Sequence, residues 1–208
     1  MGGMSGAGAP EWVIREDAGE PVLVALYLRQ MLGIRSPDEL PALRGIPPVP
    51  PMAARTEAEQ DALEAQWRDF WEMTVEPLGH RSTVPLELVE GFDTLVALPV
   101  EGAEQLRAAI LPFGPAAVAY AQSVNARYAK DATAKPGVSY RAYASAIAEH
   151  ERQVGRRAHA FELNVQVLPL VQRGVWWIGA LTIAVTDGLR QDIVMFDAAI
   201  QPIIAELA

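Results

Sequence analysis

The sequence predicts an α+β fold in which about six helices pack with a small antiparallel sheet. Apolar residues recur at helical spacing in several segments of the first 155 positions. Near the carboxyl terminus the period changes, and apolar and polar residues alternate over 161–171. A second apolar run follows at 175–186, and apolar residues then return to helical spacing from about 187 to the end. Helical and strand periods thus occupy separate parts of the chain, which is typical of this fold class.

The carboxyl-terminal segment predicts a β-hairpin followed by a helix. In the first strand the odd positions from Phe161 are apolar, and the even positions form a solvated face of Glu162, Asn164 and Gln166. The pair Arg173-Gly174 predicts the turn, and 175–186 predicts the returning, more central strand. Because a lone hairpin is marginal in water, we expect a third strand from the amino-terminal half or from a second subunit.

Local signals place the helices. Pro21 opens the first helix and Gly33 ends it. Thr56 and Glu59 form a capping box at the start of a helix that runs to about residue 76. The apolar stripe of that helix predicts a core face: Leu63, Trp67, Phe70 and Trp71.

Weaker signals complete the element list. Further helices are expected over 102–111, 114–129, 139–154 and from about 187 to the end, where Pro202 should bend or divide the last one. A short strand is expected at 11–15, and a second capping box, with a short helical turn, at 36–39. A turn is expected at 135–137.

The chain is expected to form one domain over 11–208. Residues 1–10 are rich in Gly and Ala and predict a flexible tail. A proline-rich connector at 46–52 predicts extended chain. Arg44, Pro47 and Pro50 match a pattern read by SH3-type grooves, but a rigid surface connector explains these prolines as well.

Composition excludes several classes of protein. The chain has no cysteine, which excludes disulfides, thiolate metal sites and a cysteine nucleophile. Neither a secretory signal nor an apolar run of membrane-spanning length is present, so we expect a soluble, cytoplasmic protein. Arginine outnumbers lysine 15 to 2, and alanine is abundant, as in GC-rich bacteria.

Charge is unevenly distributed in this acidic protein. Residues 1–104 carry a net charge of −11, residues 105–208 carry +2, and 107–173 alone carries +5. The overall charge of −9 disfavours nucleic-acid binding. Either the two halves face each other, or the basic part binds a small anion or an acidic partner.

Three groups of residues are candidate binding residues. His80 and Arg81 lie in the polar loop 79–83, which turn chemistry explains equally well. A basic cluster of Arg152, Arg156 and Arg157 suits an anion, but a helix carboxyl end favours cations in any case. Trp176 and Trp177 must point to opposite faces of their strand, as core residues or, for one of them, as an exposed contact.

No signature of a metal, a cofactor or a catalytic residue is present. His150 and His159 are nine residues apart, which a helical zinc pair does not allow. The leading hypothesis is therefore a protein that acts through contacts with a partner chain or with itself as a homo-oligomer. The alternative is a small-molecule-binding or hydrolase-like protein, with a pocket between the 56–76 helix and the carboxyl-terminal sheet. Its polar groups would be His80, Arg156 and Arg157.

Overall fold

The computed structural model describes residues 12–35, 40–48, 55–134 and 138–208. The predicted tail at 1–10, the capping box at 36–39, residues 49–52 of the connector and the turn at 135–137 lie outside these ranges. In chain order the described elements are β1 (Val13–Asp17), α1 (Glu20–Met31), α2 (Glu57–Val75), β2 (Leu86–Leu88), β3 (Ala97–Pro99), α3 (Glu104–Ile110), α4 (Gly114–Ala134), α5 (Val138–Val154), β4 (Glu162–Leu168), β5 (Val175–Trp177), β6 (Thr182–Thr186), α6 (Asp187–Arg190) and α7 (Ile193–Leu207).

The main sheet has four strands in the order β1-β4-β6-β5. β1, β4 and β6 are parallel to one another, and β5 pairs antiparallel with β6. Mixed α and β content with a small sheet is confirmed, but a purely antiparallel sheet is wrong. The third strand comes from the amino-terminal half, as one of the two predicted sources, because β1 pairs with β4.

The carboxyl-terminal hairpin exists, but its strands and turn differ from the prediction. β4 does not pair with the segment that follows it; the antiparallel pair is β5 and β6, joined through 178–181. The predicted turn at Arg173-Gly174 is instead a loop that crosses the end of β6. Its Gly174 N–H donates to Thr186 Oγ1 at 3.0 Å, and Thr186 Oγ1 donates to the Gln172 carbonyl at 2.7 Å.

Helices cover both faces of the main sheet. On one face α1, α2, α3 and α4 form a core with Leu168 and Ala184. On the other face α5 and α7 form a second core with Leu163, Val165 and Ile183. β4 and β6 are apolar toward α5 and α7, whereas their other face places polar residues beside Leu168 and Ala184. On the face of β4 predicted to be solvated, Glu162 is exposed as expected, but Asn164 and Gln166 are half-buried. Gln166 Oε1 there accepts the Gly19 N–H at 2.8 Å.

Helix boundaries follow the predicted caps. α1 carries a proline in its first turn, and Gly33 beyond its end has a φ of 69°. The capping box of Thr56 and Glu59 is formed at the start of α2. Local signals of this kind depend only on residues within one turn of each other, and the sequence displays them directly.

The last helical segment is divided, but not at its proline. α6 and α7 are separated at residues 191–192, where Asp192 caps α7 by accepting the Met195 N–H at 3.2 Å. α7 then continues through Pro202 to Leu207. Among the described residues no helix has the length and apolar character to cross a membrane.

Candidate ligand-binding site

The parallel strands end together at one edge of the sheet. β1 ends at Asp17, β4 at Leu168 and β6 at Thr186, and parallel direction places all three carboxyl ends on the same side. α1 and α6 begin at this edge directly after β1 and β6. In open sheets of this kind, crevices outside the carboxyl ends of strands are the usual ligand sites.

A buried ion pair lies just inside this edge. Arg190 Nε donates to both carboxylate oxygens of Glu16, at 2.9 and 3.1 Å, and Nη2 lies 2.9 Å from Oε1. The side chains of Arg190 and Glu16 are only 15% and 11% exposed. The pair joins α6 to β1 across 174 positions of sequence.

Two tyrosines complete the coordination of the Glu16 carboxylate. Tyr143 Oη donates to Oε2 at 2.8 Å, and Tyr128 Oη donates to Oε1 at 3.3 Å. Burial, and then the Glu16 carboxylate, raise the pKa of both phenols well above the ordinary value. Both hydroxyls therefore stay protonated at neutral pH and act as donors. The result is a fixed polar cluster with every carboxylate oxygen bonded more than once.

A crevice of about 540 Å³ lies in front of this cluster. α4 forms one wall, and the ends of β4, α6 and α7 form the other. Tyr128 and Arg190 belong to both the polar cluster and the crevice lining. The volume falls within the range of about 300–1,000 Å³ typical of small-molecule sites. The remaining lining is mixed: Val124, Arg127, Asp131, Ala132, Ala134, Val167, Pro169, Asp187, Gln191 and Ile193.

The charged groups of the crevice differ in whether they have partners. Asp187 accepts from Arg44 Nη2 and from the Gly188 N–H. Among the residues that the structure describes, Asp131 accepts a hydrogen bond only from the Gln191 amide, at 3.4 Å. Arg127 forms no ion pair with any carboxylate in the described part of the chain. Arg127 is an exposed lining cation without an ion pair in that part of the chain.

A second cavity of about 530 Å³ lies between the end of α2 and the β5–β6 turn. This is the position predicted for a pocket between the 56–76 helix and the carboxyl-terminal sheet. His80 Nδ1 lies 3.4 Å from Glu72 Oε2, and His80 Nε2 lies 3.8 Å from Glu76 Oε2. Trp71 also lines this cavity. Glu76 Oε1 also accepts the Leu181 N–H at 2.9 Å. The polar groups here thus hold the turn and one another, and neither Arg156 nor Arg157 lines this cavity.

The other predicted binding residues are dispersed. Arg152 pairs with Glu149 on α5, and Arg156 Nη1 donates to the Ala208 carbonyl at 3.3 Å. Arg81 and Arg157 are exposed. None of these four arginines lines either cavity.

The tryptophan pair alternates across β5, as expected. Trp176 packs on the α1–α4 side of the sheet, while Trp177 is 37% exposed. Of the two alternatives, burial of both indoles in the core is wrong, because Trp177 lies on the edge strand β5 and is partly exposed. A role for Trp177 as a contact residue stays a prediction.

The polar cluster of Glu16, Tyr128, Tyr143 and Arg190 was not predicted as a site. Tyr128 and Tyr143 lie in the apolar stripes of their helices, where the sequence pattern predicts tyrosine to be a core residue. The available signals were the tyrosine hydroxyls and a glutamate in a short strand, because such polar groups need hydrogen-bond partners when they are buried.

No set of three or more His, Asp or Glu side chains suited to a metal occurs within 12–35, 40–48, 55–134 and 138–208. Comparison with protein-family models, with curated proteins and with solved structures finds no match.

Proposed function

We propose that this protein binds a small organic molecule in the crevice at the carboxyl edge of its sheet. One observation carries the proposal: a buried Glu16–Arg190 pair, held by two tyrosines, backs a crevice of about 540 Å³. This crevice is not the second cavity, between α2 and the β5–β6 turn, which is where the sequence predicted a pocket. The geometry favours binding and assigns no catalytic residue.

The energetics of the ion pair support a functional role. Removing two charges from water costs several kcal/mol each, so a buried pair adds little net stability over an apolar pair of the same size. Such groups concentrate at functional sites, where fixed polar atoms orient a ligand. Two of the four residues in the polar cluster, Tyr128 and Arg190, also line the crevice. A purely structural ion pair would instead be enclosed in the core.

A blocking substitution tests this function. Ala132→Trp on α4 should fill the crevice and weaken binding of the uncharged fluorophore N-phenyl-1-naphthylamine by at least about tenfold, since buried apolar contact is lost. Ala129→Trp is the matched control, because Ala129 is exposed on the same helix and does not line the crevice. Equal affinity in the two variants, or no saturable binding to the wild type, would contradict the proposal.

Self-association is a second candidate, favoured by an exposed apolar turn. Ile193, Val194 and Met195 at the start of α7 are 55%, 76% and 52% exposed. The sheet itself no longer supports this function, because β1 supplies the strand that a second subunit could have given. Light scattering should find a dimer that Val194→Asp dissociates. A wild-type monomer at high concentration would remove this candidate.

A further inference from the structure

We propose that the ligand of the crevice is a monocarboxylate with an apolar body, bound through Arg127 and Arg190. This inference rests on the proposed function and gives its ligand a chemical class. Its basis is the set of crevice groups that still lack partners, together with the apolar surface that lies beside them.

Arg190 presents part of its guanidinium group to a ligand. Nε and Nη2 are committed to Glu16, whereas Nη1 donates no hydrogen bond within the described residues and is not among the buried atoms that lack a partner. Since Arg190 lines the crevice, Nη1 is its accessible donor. Glu16 acts as a positioning residue, because its two-point contact fixes the plane of the guanidinium group.

Arg127 supplies the charge that Arg190 lacks. Glu16 neutralises Arg190, and Arg44 neutralises Asp187. Arg127 has no carboxylate partner in the described ranges, and it lies on α4 one residue before Tyr128. The unused polar groups of this lining are thus the guanidinium donors of Arg127 and Arg190, which fit a carboxylate, and the carboxylate of Asp131.

The negative charge of Asp131 repels a bound anion, and this repulsion gives a second test of the charge of the ligand. It follows Arg127 by one helical turn, and no cation pairs with it in the described ranges. A bound carboxylate would feel its repulsion, so Asp131→Asn should strengthen anion binding. Were the ligand a cation, the same substitution would weaken binding.

The remaining lining fits a hydrocarbon body. Apolar side chains from α4, the end of β4 and the first turn of α7 surround the space beside the two arginines: Val124, Ala132, Val167, Pro169 and Ile193. Burying apolar surface there adds affinity, at about 25 cal/mol per Å². A molecule with one anionic end and a short apolar body uses both parts of the lining.

Displacement of N-phenyl-1-naphthylamine by octanoate, octanamide and octylamine tests the ligand class. Octanoate should displace the fluorophore at a concentration at least about tenfold lower than the other two, as expected for one charge-assisted hydrogen bond. Arg127→Gln should remove this preference, and Asp131→Asn should increase it. The control is Lys130→Gln, an equal charge change at an exposed residue of α4 outside the lining.

The outcomes separate this inference from the proposed function. If octanoate and octanamide compete equally, or octylamine competes best, the carboxylate assignment is overturned while small-molecule binding stands. If the fluorophore does not bind the wild type, the proposed function fails first. If the octanoate preference persists in Arg127→Gln, Glu16→Gln and Arg190→Gln are added to that same variant, which removes both charges of the pair together. Persistence there too would overturn the role of both arginines.

Discussion

Substituting Glu16 with alanine is expected to lower the free energy of unfolding by about 3–5 kcal/mol, the usual result of breaking a buried ion pair. The loss leaves the Arg190 guanidinium group, 15% exposed, without a counter-charge. It also leaves the hydroxyls of Tyr128 and Tyr143 without their acceptor. Urea unfolding followed by tryptophan fluorescence measures the change.

The matched control is Glu162→Ala on the neighbouring strand. Glu162 forms an ion pair of the same length, 2.9 Å, with Arg15, but both side chains are more than half exposed. Such surface pairs contribute about 0–1 kcal/mol. Equal losses in the two variants would mean that the Glu16 cluster is not a desolvated network. The double variant Glu16→Ala with Arg190→Ala should cost less than the sum of the single ones, since no lone buried charge remains.

Substituting Trp67 with alanine is expected to cost about 3–5 kcal/mol, the range for removing a large core aromatic residue. Its side chain is fully buried and stacks on Trp71, with ring centroids 5.5 Å apart. Its Nε1–H donates to the Ala25 carbonyl at 3.1 Å, which links α2 to the centre of α1. Thermal or urea unfolding measures the loss.

Two further variants separate the causes of that loss. Trp67→Phe keeps most of the apolar contact and removes the indole's hydrogen bond to the Ala25 carbonyl, which retains its helical partner, at a cost of about 1–3 kcal/mol. Trp177→Ala removes an indole that is 37% exposed on an edge strand, and should change stability by less than about 1 kcal/mol. A Trp177 variant as damaging as the Trp67 variant would contradict the assignment of the core.

Elements governed by short-range signals could be predicted from the sequence. The capping box of α2 and the glycines after α1 and α5 act over a few residues, and each is present. The aromatic stripe of α2 also faces the core as expected, because helical spacing alone assigns residues to a face.

Strand pairing could not be predicted, because its determinants are distant in sequence. The true hairpin turn, 178–181, has a single typical turn residue, Gly179, within an otherwise apolar run. It is held by the Glu76 carboxylate, which accepts the Leu181 N–H across 105 positions. Gly174 is a residue typical of turns, but it lies in a loop where its N–H donates to Thr186 at the end of β6.

The candidate site was missed for the same reason. Glu16 and Arg190 stand near opposite ends of the chain, and neither has a neighbour in sequence that forms a motif with it. Only the parallel pairing of β1 with β4, and of β4 with β6, brings them together. The predicted anion site at Arg152, Arg156 and Arg157 followed local charge density, which a helix carboxyl end explains.

Mapping the bound ligand on the protein tests the central claim most directly. In nitrogen-15 NMR spectra recorded during titration with octanoate, and separately with octanamide, we expect saturable shifts of the Arg190 Nε–H signal. The backbone amides of 124–132 and 187–193 should move with it. Shifts concentrated instead around Trp71, His80 and the 178–181 turn, or no saturable shifts with either compound, would contradict a binding site at the carboxyl edge of the sheet.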